Sequence, residues 1–248
     1  MSVVLITGTS SGIGLATAVE LAHRGERVFA SMRDTSRSEA LREAAASAGI
    51  EVEVVQLDVT DTDSVERAVA QVLAGAGAID VLVNNAGGSP PMPALRTSEK
   101  MFEAALRFNV TSAFLMSRLV IPHMQEGHGG SIVNISSAAG RLPQAQFVAY
   151  GTAKAALSFM TRQLAAEFAP LVRVNAVAVG ATATSSLLPF LNDDTRAAME
   201  QRTPMRRIGT VEDISIAVLY LASAASSWVT GKVLEVDGGT ESTNWPFD

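Results

Sequence analysis

Val3-Val4-Leu5-Ile6-Thr7-Gly8-Thr9-Ser10-Ser11-Gly12-Ile13-Gly14 reads as a buried strand that runs through a glycine-rich turn into a helix. Four consecutive apolar residues, three of them β-branched, suit a strand covered on both faces. Beyond the turn, Leu15, Ala18, Val19 and Ala22 fall on one helix face, and Gly25 stops the helix. Glycines in such a turn let the backbone close on a pyrophosphate, whose charge is favoured by the free N–H groups at the helix N-terminus. Gly8, Ser10, Ser11, Gly12, Ile13 and Gly14 are therefore the first candidate dinucleotide contacts. The glycine spacing is not G-x-G-x-x-G, and no Gly-Lys-Ser/Thr follows, which excludes a P-loop.

The same alternation continues outward from this turn. Arg27 to Ser31, Val52 to Leu57, Val81 to Val83, Ser131 to Ile135, Arg173 to Val177 and Val233 to Val236 read as further strands, most of them apolar on both faces. Val65, Ala68, Val69, Val72 and Ile214, Ala217, Val218, Leu221 mark helices, the first with Asp61 as its N-cap, and a long helix spans Tyr150 to Ala169. Strand–helix alternation at this spacing implies right-handed crossovers. The expected fold is α/β: a Rossmann-type doubly wound, seven-stranded parallel sheet flanked by helices, one domain over 1–248. Gly87 to Pro93 and Gly180 to Pro189 follow the fourth and sixth strands, at the sheet end where ligands bind.

Composition narrows the chemistry. A length of 248 residues allows one or two domains, and 48% hydrophobic with 18% charged residues describes a globular chain. The net charge of −6 offers no field for a nucleic-acid backbone, and no basic run interleaves with aromatics, so no nucleic-acid partner is expected. The absence of cysteine removes disulfides, thiolate metal sites and thiol nucleophiles, and suits a reducing interior. His23, His123 and His128 lack ligand spacing, so no metal is expected. The start has no basic n-region, and Val172 to Leu191 is interrupted by Arg173, Asn175 and Gly180. Neither a leader nor a membrane partner is expected, and the default location is the cytoplasm.

Thr7-Gly8-x3-Gly12-Ile13-Gly14, Asn84-Asn85-Ala86-Gly87, a serine thirteen residues before a Tyr150-x3-Lys154 pair, and Asp237-Gly238-Gly239 follow one another along the chain. In this order they resemble the classical short-chain dehydrogenase/reductase family over nearly the whole sequence. The resemblance implies hydride transfer between a nicotinamide cofactor and a small-molecule ketone or secondary alcohol. In that family the end of the second strand selects the cofactor: an acid accepts from a ribose 2′-OH, whereas a guanidinium binds a 2′-phosphate. Met32 stands where the acid is expected and Arg33 follows it, which favours NADP(H). Asp34 binding the ribose, or Arg37 sharing the phosphate, are the alternatives. Asp58 and Val59 are implied to border the adenine, and Asn85, Ala86 and Gly87 to line the adenosine ribose side while stabilising the central strand. Asn84 reads as structural, and Asp58 equally as a turn residue before a helix.

Tyr150 and Lys154, four residues apart, share a helix face. Lowering a tyrosine pKa by about 3 units takes roughly 4 kcal/mol, which an ammonium about 4 Å away supplies at an effective dielectric near 20. The resemblance makes Tyr150 the proton donor and acceptor, and Ser137, with Ser136 as fallback, the carbonyl-polarising hydroxyl. It makes Lys154 the holder of the nicotinamide ribose and Asn109 the residue that holds a water at a helix kink. Asn109 also reads as a backbone-bonding asparagine at a bend. The family's Pro-Gly after the sixth strand is here Val179-Gly180. Gly180, Thr182 and Thr184 are the candidates near the nicotinamide, Thr184 being the better match of the two threonines.

A lid is expected at about 184–207, where Leu187, Leu188, Pro189, Phe190, Leu191 and Met199 join Leu142, Pro143 and Phe147 around an apolar pocket. Arg206 and Arg207 read either as a grip on an anionic tail or as lid-edge charges. Two other readings remain: a 3-oxoacyl-carrier-protein reductase, which would need a basic docking surface, and a noncatalytic dinucleotide-binding regulator, which would not need Asn109, Ser137, Tyr150 and Lys154 together. The resemblance further implies a homotetramer packed through the helices around Leu106 to Met124 and Leu157 to Phe168.

Overall fold

The strands are β1 (Val3–Thr7), β2 (Arg27–Met32), β3 (Glu53–Gln56), β4 (Val81–Asn84), β5 (Gly130–Ser137), β6 (Val172–Val179) and β7 (Val233–Val236). The structure, a computed structural model, describes residues 1–246; the last two positions of the expected 1–248 domain lie outside them. All seven strands pair in parallel in the order β3-β2-β1-β4-β5-β6-β7. The order reverses between β1 and β4, which opens a crevice at the carboxyl ends of the central strands.

Among the described residues eight α-helices connect them: α1 (Gly12–His23), α2 (Glu39–Ala48), α3 (Thr62–Ala76), α4 (Glu99–Leu106), α5 (Ser112–Glu126), α6 (Val148–Phe168), α7 (Asp193–Arg202) and α8 (Val211–Ala222). The two-residue period of the strands divides the core. Leu5, Leu82, Ile132 and Val174 pack with Val65 and Val69 of α3 and Met116 and Val120 of α5. Their neighbours Val4, Val83, Val133 and Val177 pack on the opposite face with Leu21 of α1 and Ile214 and Val218 of α8. Both faces are thus covered, which is why these strands lack polar alternation. The run Glu99–Glu126 is by length and composition apolar enough to cross a membrane, but its Met116, Val120, Ile121 and Met124 are buried in the first of these cores.

Three details position the crevice. Asp61 caps α3, its carboxylate accepting from the Asp63 N–H at 3.1 Å. Strand β5 runs two residues past its expected end because Ser136 and Ser137 stay in register with Ala178 and Val179. A buried amide chain then ties β4, β5 and α6 together: Asn84 Nδ2 donates to Asn134 Oδ1 at 2.9 Å, and Asn134 Nδ2 donates to Thr161 Oγ1 at 2.9 Å. Satisfied polar groups in a low-dielectric core fix one arrangement, so this chain orients the helix that carries Tyr150 and Lys154.

Candidate active site

The glycine turn adopts a shape that side chains would obstruct. Gly8 has φ +73° and Gly12 φ +60°, the left-handed region that glycine enters without strain. At Gly14 the constraint is room: a Cβ there would lie 2.3 Å from the Gly8 carbonyl oxygen and 2.5 Å from Asn85 Nδ2. The turn is pinned from both neighbouring strands. Gly8 and Thr9 N–H donate to the Ser31 carbonyl, both at 3.0 Å. From β4, Asn85 Nδ2 donates to the Thr7 and Gly8 carbonyls, both at 2.9 Å, while Thr7 Oγ1 accepts from the Asn85 and Ala86 N–H groups at 3.0 Å each. The Asn85 amide is thus committed to shaping the turn.

Ser11, the N-cap of α1, makes no side-chain capping bond, which leaves first-turn N–H groups of α1 for an anion. A cradle of this shape fits the pyrophosphate of a dinucleotide. Gly14→Ala is expected to cost about 2 kcal/mol by overpacking and to weaken dinucleotide binding at least about tenfold. Thermal melting and nucleotide titration check this; a variant that melts and binds like the wild type contradicts the cradle.

Beyond β2 a cleft of about 440 Å³ is lined by Gly8, Ser10, Arg33, Asp34, Arg37, Asp58, Val59 and Ala86, with Leu57, Thr60 and Phe108. Met32 also lines this cleft but is buried and presents only an apolar edge, whereas Arg33 is exposed. Asp34 turns toward its own chain. One of its oxygens accepts from the Ser36 hydroxyl at 2.7 Å and the Ser36 N–H at 3.0 Å, which holds its pKa below the usual value. Asp58 does the same with the Thr60 hydroxyl at 2.7 Å and N–H at 2.9 Å, and its pKa is likewise lowered. The turn reading of Asp58 therefore describes its side chain. Leu57, Thr60 and Phe108 were not singled out from sequence; only their place beside Asp58 or Asn109 pointed to them.

At the other end of the crevice Ser137, Tyr150, Lys154, Asn109 and Gly87 converge. Lys154 is buried, donates to the Ile135 carbonyl at 2.7 Å, and places its Nζ 5.7 Å from the Tyr150 ring centroid. A Cβ on Gly87 would lie 3.0 Å from that Nζ and 2.7 Å from Asn109 Oδ1. The Ser137 hydroxyl accepts from the Ala139 N–H at 3.2 Å, donates to the Val179 carbonyl at 3.5 Å, and faces the Tyr150 phenol closely enough to favour its ionised form. Ser136, the fallback, lies in the β5–α6 packing instead, donating to the Lys154 carbonyl at 3.0 Å and pairing with Ser158 Oγ at 2.7 Å. Gly140 lets the turn after β5 press on α6: a Cβ there would lie 2.7 Å from the Lys154 carbonyl carbon.

Burial decides both titrations. It pushes the Tyr150 phenol above its usual value, against the Ser137 hydrogen bond that favours phenolate. It also pulls Lys154 down to about 8. The depressed phenol expected from the four-residue spacing is not found: the ammonium lies over the ring and donates to Ile135, and desolvation dominates the phenol. Asn109 sits in a π-helical turn, Arg107–Thr111. Its Oδ1 accepts from the Gly88 N–H at 2.8 Å, and its Nδ2 donates to the Gly88 and Ala105 carbonyls at 3.0 and 2.8 Å. The side chain thus behaves as the backbone-bonding asparagine at a bend, bracing the loop after β4.

Thr184 overhangs the glycine turn: a Cβ on Gly12 would lie 3.7 Å from its Cγ2, and Ser185 Oγ stands 3.4 Å from Ser11 Oγ. Thr182 is buried and donates to the Gly180 carbonyl at 3.2 Å. Val179, at the family's proline position, pairs with Ser137 on one side and Val236 on the other. Arg207 forms a bidentate pair with Asp213 at 2.6 and 2.8 Å, and Arg206 donates to the Gln201 carbonyl. Both arginines therefore have intramolecular partners.

Aromatic rings join the segment around Phe190 to the start of α6. Phe147 meets Tyr150 edge-on with centroids 5.9 Å apart, Trp245 meets Phe147 at 5.2 Å, and Phe190 meets Trp245 at 6.0 Å. Trp245 was missed from sequence; its signal was a large ring near the end of a chain with 5% aromatic residues.

A profile described as enoyl-(acyl carrier protein) reductase matches residues 8–241. An uncharacterized oxidoreductase of Mycobacterium tuberculosis is 44% identical over 239 residues, covering 96% of this chain and 91% of the relative. A 3-oxoacyl-acyl-carrier-protein reductase of Thermotoga maritima is 37% identical over 238 residues, covering 96% of each. A solved structure of 7α-hydroxysteroid dehydrogenase complexed with NADH and 7-oxo glycochenodeoxycholic acid superposes with a TM-score of 0.92 at 33% identity, covering 96% of this chain and 94% of that one.

Proposed function

The chain belongs to the classical short-chain dehydrogenase/reductase family of oxidoreductases, and we propose that it is an NADP(H)-dependent member acting on a ketone or secondary alcohol with a largely apolar body. The observation that carries the reaction is the convergence of Ser137, Tyr150 and Lys154 beside Gly87. When bound, the nicotinamide supplies hydride exchange with the carbonyl carbon. The chain's own groups handle the oxygen. Tyr150 gives its phenolic proton to that oxygen in reduction and takes it back in oxidation; Ser137 hydrogen-bonds the same oxygen as charge develops on it. Lys154 places a buried positive charge over the Tyr150 ring and holds the nicotinamide ribose, while the turn of Gly8, Ser10, Ser11, Gly12, Ile13 and Gly14 holds the pyrophosphate. Thr184, with Gly180 and Thr182 behind it, supports the carboxamide side, and the segment 184–207 closes over the substrate.

Arg33 supports NADP(H): it is the exposed cation at the end of β2, in a cleft whose two carboxylates already have hydrogen-bond partners. Arg33→Asp is expected to reverse the kcat/KM preference between the two nicotinamide cofactors, by about tenfold or more, since one charge-assisted hydrogen bond contributes about 1.5–3 kcal/mol. An unchanged preference would remove Arg33 from the account.

A carrier-protein substrate is the second reading, favoured by the Thermotoga maritima relative. Against it, Arg141 pairs with Glu235 and Asp237, and Arg207 with Asp213, so these cations are already matched by acids of the same chain. A noncatalytic regulator would not need the assembled catalytic set. We place the enzyme in the cytoplasm, where a cysteine-free chain needs no oxidising compartment, as a homotetramer, a reading supported by the exposed rings of Phe114 on α5 and Phe159 on α6. The test is a panel of carbonyls and alcohols followed by nicotinamide absorbance with both cofactors. Turnover of apolar ketones with NADPH supports the reading; no turnover with any member contradicts it.

A further inference from the structure

We infer that the C-terminal segment from Thr240 to Trp245 is a brace between the lid and the catalytic helix, and that Trp245 is a positioning residue that sets how the carbonyl substrate is held. The inference rests on the reaction proposed above and adds a part of the chain that lies outside every motif of that reaction.

The segment is fastened at both ends. Near its start, Arg141, just beyond the turn that follows Ser137, donates to the Thr240 carbonyl at 2.8 Å and pairs with Asp237 at 3.0 Å. Near its end, Arg202, the last residue of α7, donates to the Trp245 carbonyl at 3.1 Å, and Asn244 Nδ2 donates to Thr203 Oγ1 at 3.0 Å. One end therefore grips the catalytic loop and the other the lid helix.

Between these anchors the indole is 8% exposed and shares a small core with Met199 and Ile208, against which Leu187 and Leu191 of the lid pack. Its ring stands at 88° to Phe147 and 64° to Phe190. Phe147, the residue before α6, in turn stands at 63° to Tyr150. A continuous edge-to-face series thus runs from the lid to the phenol that carries the proton. Each such pair has a preferred geometry worth a measurable fraction of the positioning, and a rigid indole transmits displacement rather than absorbing it. With Trp245 in place the lid and the pocket wall beside Tyr150 hold one another; without it they move independently.

The experiment compares Trp245→Ala, Trp245→Leu and Trp245→Phe with the wild type. For Trp245→Ala, the carbonyl KM is expected to rise about tenfold, equivalent to about 1.4 kcal/mol of positioning, with kcat and the NADPH Kd changed by less than about threefold. Trp245→Phe, which keeps a ring edge, is expected to bring KM back to within about threefold of wild type. Trp245→Leu keeps apolar bulk without an edge; it is expected to behave like the alanine variant, and it carries the test if that variant does not fold. Trypsin supplies a readout that needs no substrate: cleavage at Arg196, Arg202 or Arg206 is expected to be at least about fivefold faster without the indole, as the lid opens more often. An unchanged KM in Trp245→Leu, a loss shared equally by Trp245→Phe, or unchanged tryptic cleavage overturns the brace. A wild-type protein that turns over no carbonyl refutes the proposed reaction instead, and the tryptic comparison then decides the brace alone.

Discussion

Tyr150→Phe is expected to lower kcat by about three orders of magnitude in both directions, because positioned acid–base catalysis is worth about 10²–10⁴. The substitution removes one hydroxyl and keeps the ring, with its edge contact to Phe147 at 5.9 Å and Lys154 Nζ 5.7 Å from its centroid. Dinucleotide affinity should therefore stay within about twofold of wild type, since the cradle lies on other elements. The raised phenol pKa gives the loss a direction with pH. A phenol kept protonated by burial is ready to act as the acid for reduction across neutral pH, whereas oxidation needs it ionised and should accelerate as pH rises. Steady-state rates in both directions, with nucleotide titration, check this. Residual turnover within tenfold of wild type would mean that another group moves the proton.

Lys154→Met is expected to lower kcat/KM by about a hundredfold or more, the scale of losing one preorganised electrostatic donor, and to weaken dinucleotide binding with it. Its effect on stability runs the other way. The lysine is buried with a folded-state pKa of about 8, below its ordinary 10.5. Below pH 8 both folded and unfolded chains carry the proton, and the folded state bears the full cost of desolvating it. Between about pH 8 and pH 10 the unfolded chain keeps a proton that the folded chain has released, so this group's penalty fades as pH rises. Relative to Lys154→Met, the wild type should gain stability on the order of 2 kcal/mol between pH 7 and pH 10. Melting curves of both proteins across that range measure it. A pH-independent difference would mean that Lys154 is not titrating in the folded protein.

The fold was legible because the strands bury both faces: runs such as Val3 to Ile6 and Val81 to Val83 have no competing pattern, and the chain delivers them as β1 and β4 of a central sheet. The end of β5 was less legible, since Ser136 and Ser137 carry no strand propensity and are held by their register with β6. The convergence of Tyr150, Lys154 and Ser137 could be read from spacing and resemblance, but the electrostatics could not. Spacing says that an ammonium is near a phenol; it does not say that the ammonium's hydrogen bond goes to Ile135, or that burial dominates both groups. Asn85 and Asn109 show the same limit. Their positions were marked, yet the partners of their amides, Thr7 and Gly8 for one, Gly88 and Ala105 for the other, are set by long-range packing. Trp245 was invisible for a related reason: its partners lie on α7, on the segment before α6 and around Leu187 and Leu191, far away in sequence.

The central claim is that this chain directs hydride between a nicotinamide and a carbonyl carbon, with Tyr150 handling the oxygen's proton. It is tested most directly by incubating the protein with a carbonyl substrate from the panel and NADPH deuterated at C4 on the transferred face, then locating the label in the alcohol by mass spectrometry. The account predicts one deuterium on the carbinol carbon with wild-type protein and almost none formed by Tyr150→Phe in the same time. An alcohol without deuterium from either face of the labelled cofactor, or equal labelling by the two proteins, would contradict it.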